Sequence, residues 1–374
     1  MPTQSPALRV VVIGGGIFGV SSALQLARRG ADVTLVTEGS FAAGASGRSL
    51  SWLNSSRRRS LPYHHLRMAG IDRYRTLAAR HPGLPWLRFD GGLTWDAEDG
   101  TNEIAAAYAY ERSLGYDSTW LQADEIAAAT PGVDPRTVTS PGAIFNPGEG
   151  WVDLPSLIRH LLPAFEAHGG HMVAEAGPAR VETANGRVTG VVAAEAGRFE
   201  ADAVLVAAGP ATPKLVAGNG ITIPDATPVS LLLETEPVET QLRAVLNTPR
   251  VAMRPTPRGT LVLDSAWSEE EVVTRPDGSH EVRQSTLDGL LAEASKVLAG
   301  NPALRLARYG VGPKPIPLDG EPVFGAVAGI AGYHVAFSHS GATLGLIAGE
   351  LLAEEIVTGA PHPMLAPFRA ARFG

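Results

Sequence analysis

The stretch VVVIGGGIFG, residues 10–19, joins an apolar β-branched run to three consecutive glycines and a fourth three residues later. Residues 9–13 (RVVVI) read as a short strand whose unbroken apolar character suits a parallel strand buried on both faces. Gly14, Gly16 and Gly19 then fit G-x-G-x-x-G around Ile17 and Phe18. The first glycine permits a tight turn, the second lets backbone approach a pyrophosphate, and the third lets a helix lie close to the strand. In VSSALQLARRG (20–30), Val20, Ala23, Leu24 and Ala27 recur at helical spacing and Gly30 supplies a C-cap. ADVTLVTEG (31–39) is a second strand leading to Glu38, an acid that suits a ribose hydroxyl and repels a 2′-phosphate. Glycines are common in this chain, 42 in all, but strand, turn, helix, strand and acid in this order make a dinucleotide site. NAD and FAD fit these residues equally.

With 374 residues the chain exceeds one small core, and two domains are expected. Hydrophobic residues at 44% and charged residues at 18% describe an ordinary globular protein. A net charge of −7 argues against a nucleic-acid partner, and Arg57-Arg58-Arg59 reads as a solvated loop. The absence of cysteine removes disulfides, thiolate metal sites and a cysteinyl cofactor link, and it agrees with a reducing cytoplasm. MPTQSPALR has no apolar core of the signal-peptide kind. Pro322–Gly349 carries no Asp, Glu, Lys or Arg, but its glycines, serines and histidines mark buried strands and a helix, not a membrane span.

GASGRSLSWLN (44–54) is neither a strand nor an ordinary helix start. Gly44, Ser46, Gly47, Arg48, Ser49 and Leu50 offer backbone donors and one cation along a long cofactor, while Leu50, Trp52 and Leu53 call for burial. Further on, NPGEGWVDLPSLIRHLLPAFEAHGG (146–170) enters a helix, and GRVTGVVAAEAGRFEADAVLVAAGP (186–210) ends a buried strand in Ala207-Ala208-Gly209. RYGVGPKPIPLDGEPVFG (308–325) holds Arg308, Gly312, Pro315, Asp319, Gly320, Pro322 and Gly325. YHVAFSHSGATLGLIAGELLAEEI (333–356) follows as strand, loop and helix.

Across residues 8–358 these segments resemble the flavin-dependent amine and amino-acid oxidoreductases: the glycine oxidase, sarcosine oxidase and D-amino-acid dehydrogenase-like proteins of the D-amino-acid oxidase superfamily. The resemblance decides between the two dinucleotides in favour of FAD. It implies a Rossmann-type α/β domain from 1–84, 148–222 and 308–374, with a mainly antiparallel sheet plus helices from 85–147 and 223–307 as substrate domain. A helix opening at Gly341, Ala342, Thr343 and Leu344 points free N–H groups and a positive dipole end at a flavin. Without cysteine, and without histidine in 44–54, the FAD is expected to be non-covalent.

In the resembled family a hydride passes from a carbon beside nitrogen to flavin N5, giving an imine, so no catalytic acid or base is nominated. Lys314 stands where many members carry the arginine that pairs with a substrate carboxylate. It keeps the charge and loses the bidentate fork. His339, Tyr309, Trp52, Arg254 and Arg58 are further candidates for the substrate, a small amine or amino acid. The strand resembling the site of an oxygen-activating lysine, GTLVLDS (259–265), has none, so O2 and another acceptor both stay open. Oxidation of a 2-hydroxy acid and a flavin-carrying subunit of a larger complex are the competing readings. Oligomeric state is not readable from these residues.

Overall fold

A computed structural model of the chain describes residues 7–374. Residues 1–6, read above as lacking an apolar leader, lie outside the described residues. The chain forms two compact units: one runs through Gly47, then Leu154–Pro228 and Pro313–Gly374; the other comprises Arg48–Asp153 and Val229–Gly312. The architecture is α/β in the first unit, with a second, mixed sheet plus helices in the other.

The first unit is built on β1 (Arg9–Ile13), α1 (Ile17–Arg28), β2 (Asp32–Val36), α2 (Leu154–Ala167), β3 (His171–Val173), a meander of β4 (Ala179–Ala184), β5 (Arg187–Ala193) and β6 (Gly197–Glu200), β7 (Ala203–Val206), β8 (Val323–Ala326), β9 (Tyr333–Phe337) and α3 (Gly341–Thr358). Its main sheet runs β8-β9-β7-β1-β2-β3 and is parallel except for β8. Val10, Val11 and Val12 lie opposite Ala203, Val204 and Leu205 on one side and Val33, Thr34 and Leu35 on the other. This is a Rossmann-like layer, with α1 over β1 and β2, α3 against β8, and both α2 and α3 packed on α1. α1 ends at Arg28; Gly30, with φ +82°, closes it by bonds from Gly30 N to Ala27 O and Ala31 N to Leu26 O. Helices α1 and α3 approach closely because Gly349 carries no Cβ; one there would lie 2.3 Å from Ser21 Oγ.

The second unit holds an eight-stranded sheet in the order 306–313, 229–235, 261–264, 252–255, 245–247, 92–94, 143–146, 119–121. The expected hairpin is present: Ala252–Pro255 pairs antiparallel with Leu261–Asp264, turning where Thr256 N donates to Thr260 O. One pair, Val245–Asn247 with Gly92–Thr94, is parallel, so the sheet is mixed. The amphipathic helix Gln284–Val297 buries Leu287, Leu290, Leu291 and Ala294 over the sheet's core.

Residues 48–84 differ from the sequence expectation: they belong to the second unit. Trp52–Leu53 pairs with Gly150–Val152, which also pairs with Leu87–Arg88, so this small sheet ties the segment locally. Arg67, on the helix Leu61–Arg80, fastens it by donating to Asn54 O at 2.7 Å and Asn54 Oδ1 at 2.8 Å. Among the described residues no helix is long and apolar enough to cross a membrane.

Candidate active site

At the carboxyl end of β1 the chain turns through Gly14, with φ +125°, whose N–H donates to Val36 O at 2.8 Å. A Cβ on Gly14 would stand 2.2 Å from Ala207 O, and one on Gly19 would stand 1.9 Å from Gly14 O. These two glycines therefore serve the fold of the turn itself. Gly16 is different. Among the described residues beyond its chain neighbours, only Ser46 Oγ, at 3.2 Å, lies within 4 Å of its Cβ position, so the space there is open.

Gly16 N-caps α1 without any side-chain cap, and the first turn of this 12-residue helix contains no acid. Ile17 N donates to Ser46 Oγ at 3.1 Å, which brings the expected residue Ser46 onto the helix start. Ser46 sits in a single helical turn, Ala45–Gly47, closed by Gly47 N to Gly44 O at 3.0 Å. That turn is tied to the glycine loop through Ala42 N and Gly15 O, and Gly47 leaves room for Ala42 O. Helix starts present N–H donors and partial positive charge, the chemistry that receives a phosphate.

The start of α3 lies beside the start of α1: a Cβ on Gly341 would come 3.4 Å from Ile17 Cγ2 and 3.8 Å from Phe18 Cε2. Ala342, Thr343 and Leu344 are buried, and Phe18 meets Phe324 edge-on at 5.3 Å. Ala208 and Gly209 follow β7 next to the same turn, and the Cβ position of Gly209 is clear of neighbours. Glu38 is exposed just past the end of β2. The residues foreseen from Gly14 to Gly47, at Ala208 and Gly209, and from Gly341 to Leu344 thus lie at the carboxyl ends of the central parallel strands. An open backbone at Gly16, two helix starts and an acid past β2 fit a dinucleotide such as FAD. Lys314, half-buried, donates its backbone N–H to Pro228 O at 2.9 Å, and His339 is exposed.

In the second unit, Arg48 lies against glycines of the strand Leu306–Pro313: a Cβ on Gly312 would stand 2.4 Å from its Nη2, and one on Gly310 2.9 Å from its Cδ. Burial lowers the Arg48 guanidinium from its ordinary pKa. Ser49 Oγ accepts from Ser51 N at 3.0 Å. Leu50 O accepts from Nε of Arg254, whose side chain is only 2% exposed. Arg254 also donates to Pro255 O at 2.9 Å, lies 5.0 Å from the Trp151 ring centre, and stands 3.9 Å from Asp153. Burial brings its pKa down to about 10. Its fork is thus engaged by backbone carbonyls. Tyr309 is 48% exposed, and exposed Arg58 lies over the Tyr110 ring at 5.6 Å, so these candidates do not share one environment.

The segment 308–325 owes several of its recognisable residues to packing. Arg308 pairs with Glu234 at 2.6 Å, Asp319 with Arg372 at 2.7 Å, and Gly325 makes room for Arg369.

A buried polar group around Glu149 was not foreseen. Glu149 is wholly enclosed, accepting from Trp52 Nε1 at 2.8 Å and the Tyr116 hydroxyl at 2.5 Å. Desolvation, with Glu111 nearby, raises its pKa to about 8. Glu111, also buried, accepts from Arg57 N and from Ser118 Oγ, each at 2.6 Å. The available signal was a charged residue set between Gly148 and Gly150.

Comparison with known proteins agrees with this geometry. The chain is 29% identical over 385 residues to a D-amino acid dehydrogenase of Cereibacter sphaeroides, covering 86% of each. It is 28% identical over 376 residues to a glycine oxidase of Pseudomonas aeruginosa, covering 95% of this chain and 98% of that one. The solved L-amino acid deaminase of Proteus myxofaciens has the same fold, with a TM-score of 0.83 at 18% identity over 100% of this chain and 96% of the other. The model of the family described as FAD dependent oxidoreductase (DAO) matches residues 9–355, nearly the whole chain, and the protein is a member of that enzyme family.

Proposed function

We propose that the protein oxidises a C–N bond of an amine or amino acid to an imine, using non-covalently held FAD. The observation that carries this reading is the pair of adjacent helix starts, α1 at Gly16–Ile17 and α3 at Gly341, each following the carboxyl end of a central strand. Backbone N–H groups from Gly16 onward would receive the pyrophosphate, with Gly14 and Gly19 shaping the turn. Glu38 would accept hydrogen bonds from a ribose. N–H groups at the start of α3 would stabilise negative charge on the reduced ring system. The chemistry FAD supplies when bound is two-electron oxidation, the substrate losing a hydride from the carbon beside nitrogen.

Lys314 is the proposed partner of a carboxylate next to the reacting carbon, as a point charge. The names of the dehydrogenase and oxidase relatives support an amino-acid substrate. The test is an anaerobic titration of purified protein with primary and secondary amines, amino acids of both hands, and 2-hydroxy acids. Bleaching of the flavin bands by one amine class supports the reading, and readmitted air then separates an oxidase from a dehydrogenase. Bleaching by hydroxy acids alone overturns the C–N assignment; a colourless protein that takes up no added FAD overturns the cofactor.

A further inference from the structure

The chain contains two Asn-Gly pairs, Asn185-Gly186 and Asn219-Gly220, both in the first unit. Asn185-Gly186 is the whole loop between β4 and β5, whose end residues Ala184 and Arg187 stand opposite each other. φ is +51° at Asn185 and +71° at Gly186, the two left-handed positions of a type I′ hairpin turn. Both residues are exposed, and among the described residues the Asn185 side chain makes no hydrogen bond. A Cβ on Gly186 would find only Gly329 O nearby, at 3.5 Å. Asn219 differs at each point. It is half-buried, its Nδ2 donates to Val181 O at 3.2 Å, and its Oδ1 accepts from the Tyr333 hydroxyl at 3.2 Å. The nitrogen after it is engaged as well, Gly220 N donating to Ala217 O at 3.0 Å.

The exposed tip is clipped to another part of the same unit. Ala331 N donates to Gly186 O at 2.8 Å, and Val188 N donates to Ala331 O at 3.0 Å, so Arg187 and Ala331 form a short parallel bridge. Ala331 lies in the loop that enters β9. The next residue, Gly332, accepts from Val204 N at 2.8 Å, and the one after it is the fully buried Tyr333. The geometry of the Asn185-Gly186 turn thus fixes where this loop is held before it joins the parallel sheet.

We propose that Asn185 is a site of spontaneous modification, deamidating through a succinimide, and that the isoaspartate left behind unfastens the hairpin tip from the loop before β9. The Gly186 nitrogen attacks Asn185 Cγ; the new N–Cγ bond replaces Cγ–Nδ2, and the amide group leaves with the Gly186 proton as ammonia. Water then opens the ring. Attack at Cγ gives aspartate, and attack at the main-chain carbonyl gives isoaspartate, whose backbone runs through Cβ and Cγ. No electrons are gained or lost. Ring closure requires the Asn185-Gly186 peptide to leave the turn geometry, and glycine permits this at a tip whose opening uncovers no buried apolar side chain. Isoaspartate adds a backbone atom to a loop whose length and turn type set the pairing of its strands, so Gly186 O is displaced from Ala331 N.

The experiment ages FAD-loaded wild type, Asn185→Ser and Asn185→Asp for days in mildly alkaline buffer, then digests them with trypsin beside unaged protein. Cleavage after Arg180 and Arg187 isolates residues 181–187, and cleavage after Lys214 and Arg243 isolates 215–243 with Asn219. In aged wild type most of peptide 181–187 should carry OH in place of NH2, and an isoaspartyl methyltransferase supplied with S-adenosylmethionine should label it. Peptide 215–243 should stay unchanged. The Tm of aged wild type should fall by about 2–4 °C for the backbone bonds lost, while aged Asn185→Ser keeps its Tm. Unaged Asn185→Asp, with the added charge on a normal backbone, should match unaged wild type. Peptide 181–187 left unmodified, or modified no faster than 215–243, overturns the site. Labelled peptide 181–187 with an unmoved Tm, or an equal fall in aged Asn185→Ser, overturns the unfastening. If Asn185→Ser does not fold, Asn185→Asp serves as the comparison.

Discussion

The Trp52 indole nitrogen donates to Glu149 Oε2 at 2.8 Å, closing one side of a carboxyl group that is fully buried and whose other oxygen takes the Tyr116 hydroxyl. With its pKa raised from 4.5 to about 8, Glu149 holds its proton longer in the folded than in the unfolded chain. Its contribution to stability is therefore full below 4.5 and is lost as pH rises toward about 8. Glu149→Gln should flatten this part of the profile. Tm measured from about pH 5 to about pH 8.5 should fall more steeply in the wild type than in the variant; parallel curves would count against a protonated Glu149.

The glycines of the first turn should separate into two kinds. Gly19→Ala drives a Cβ to 1.9 Å from Gly14 O, so loss of soluble, folded protein is expected. Gly16→Ala meets only Ser46 Oγ at 3.2 Å, a contact that a side chain can relieve. This variant should keep a Tm within a few degrees of wild type while releasing FAD more readily on dilution or gel filtration. A Gly16→Ala protein that retains FAD as tightly as wild type would argue against a pyrophosphate at that backbone.

Arg369 should matter for stability out of proportion to its place near the end of the described chain. It pairs with both oxygens of Glu355, at 2.6 and 2.5 Å, and Glu355 is 3% exposed. Burial alone would raise the Glu355 carboxyl, but bonds from Arg369 and from the N–H groups of His362 and Ala326 outweigh it and hold the pKa below 4.5. The pair's contribution is present above that value and disappears as acid protonates the folded form. Arg369→Ala should cost about 3–5 kcal/mol by denaturant unfolding at neutral pH. The deficit should shrink on acidification.

Lys314→Arg restores a fork to a position that the proposed function assigns to a carboxylate. The expected result is a KM about threefold to tenfold lower for carboxylate-bearing substrates, with little change for amines lacking that group. Steady-state kinetics on matched pairs of such substrates decides it.

What the sequence disclosed was local. Gly14, Gly16 and Gly19 punctuate an apolar strand and a periodic helix within a few residues, and Gly341 opens α3 where the apolar pattern changes period, so both helix starts were legible. The placement of residues 48–84 was not, because it turns on Trp52–Leu53 pairing with Gly150–Val152, a partner with no local signature. Arg48 fitting over Gly310 and Gly312 is likewise a meeting of remote segments. Arg58 attracted notice as one of three arginines, yet it lies exposed over Tyr110, while Arg59 is the one set against Tyr63 without an acceptor. Adjacent residues of one type look alike in sequence; burial distinguishes them.

The order of strands around β7 has a consequence for how the chain is made. β7 lies between β1 and β9, and β9 is followed by α3, which packs on α1. A growing polypeptide covers β1 with β2 at once and with β7 after residue 206, but the face of α1 that meets α3 stays uncovered until residue 337 and the helix after it have left the ribosome. At about 5–20 residues per second, that is a wait of tens of seconds. Shortening the sequence interval between the first and last strands of this sheet, by circular permutation within the first unit, should speed its refolding.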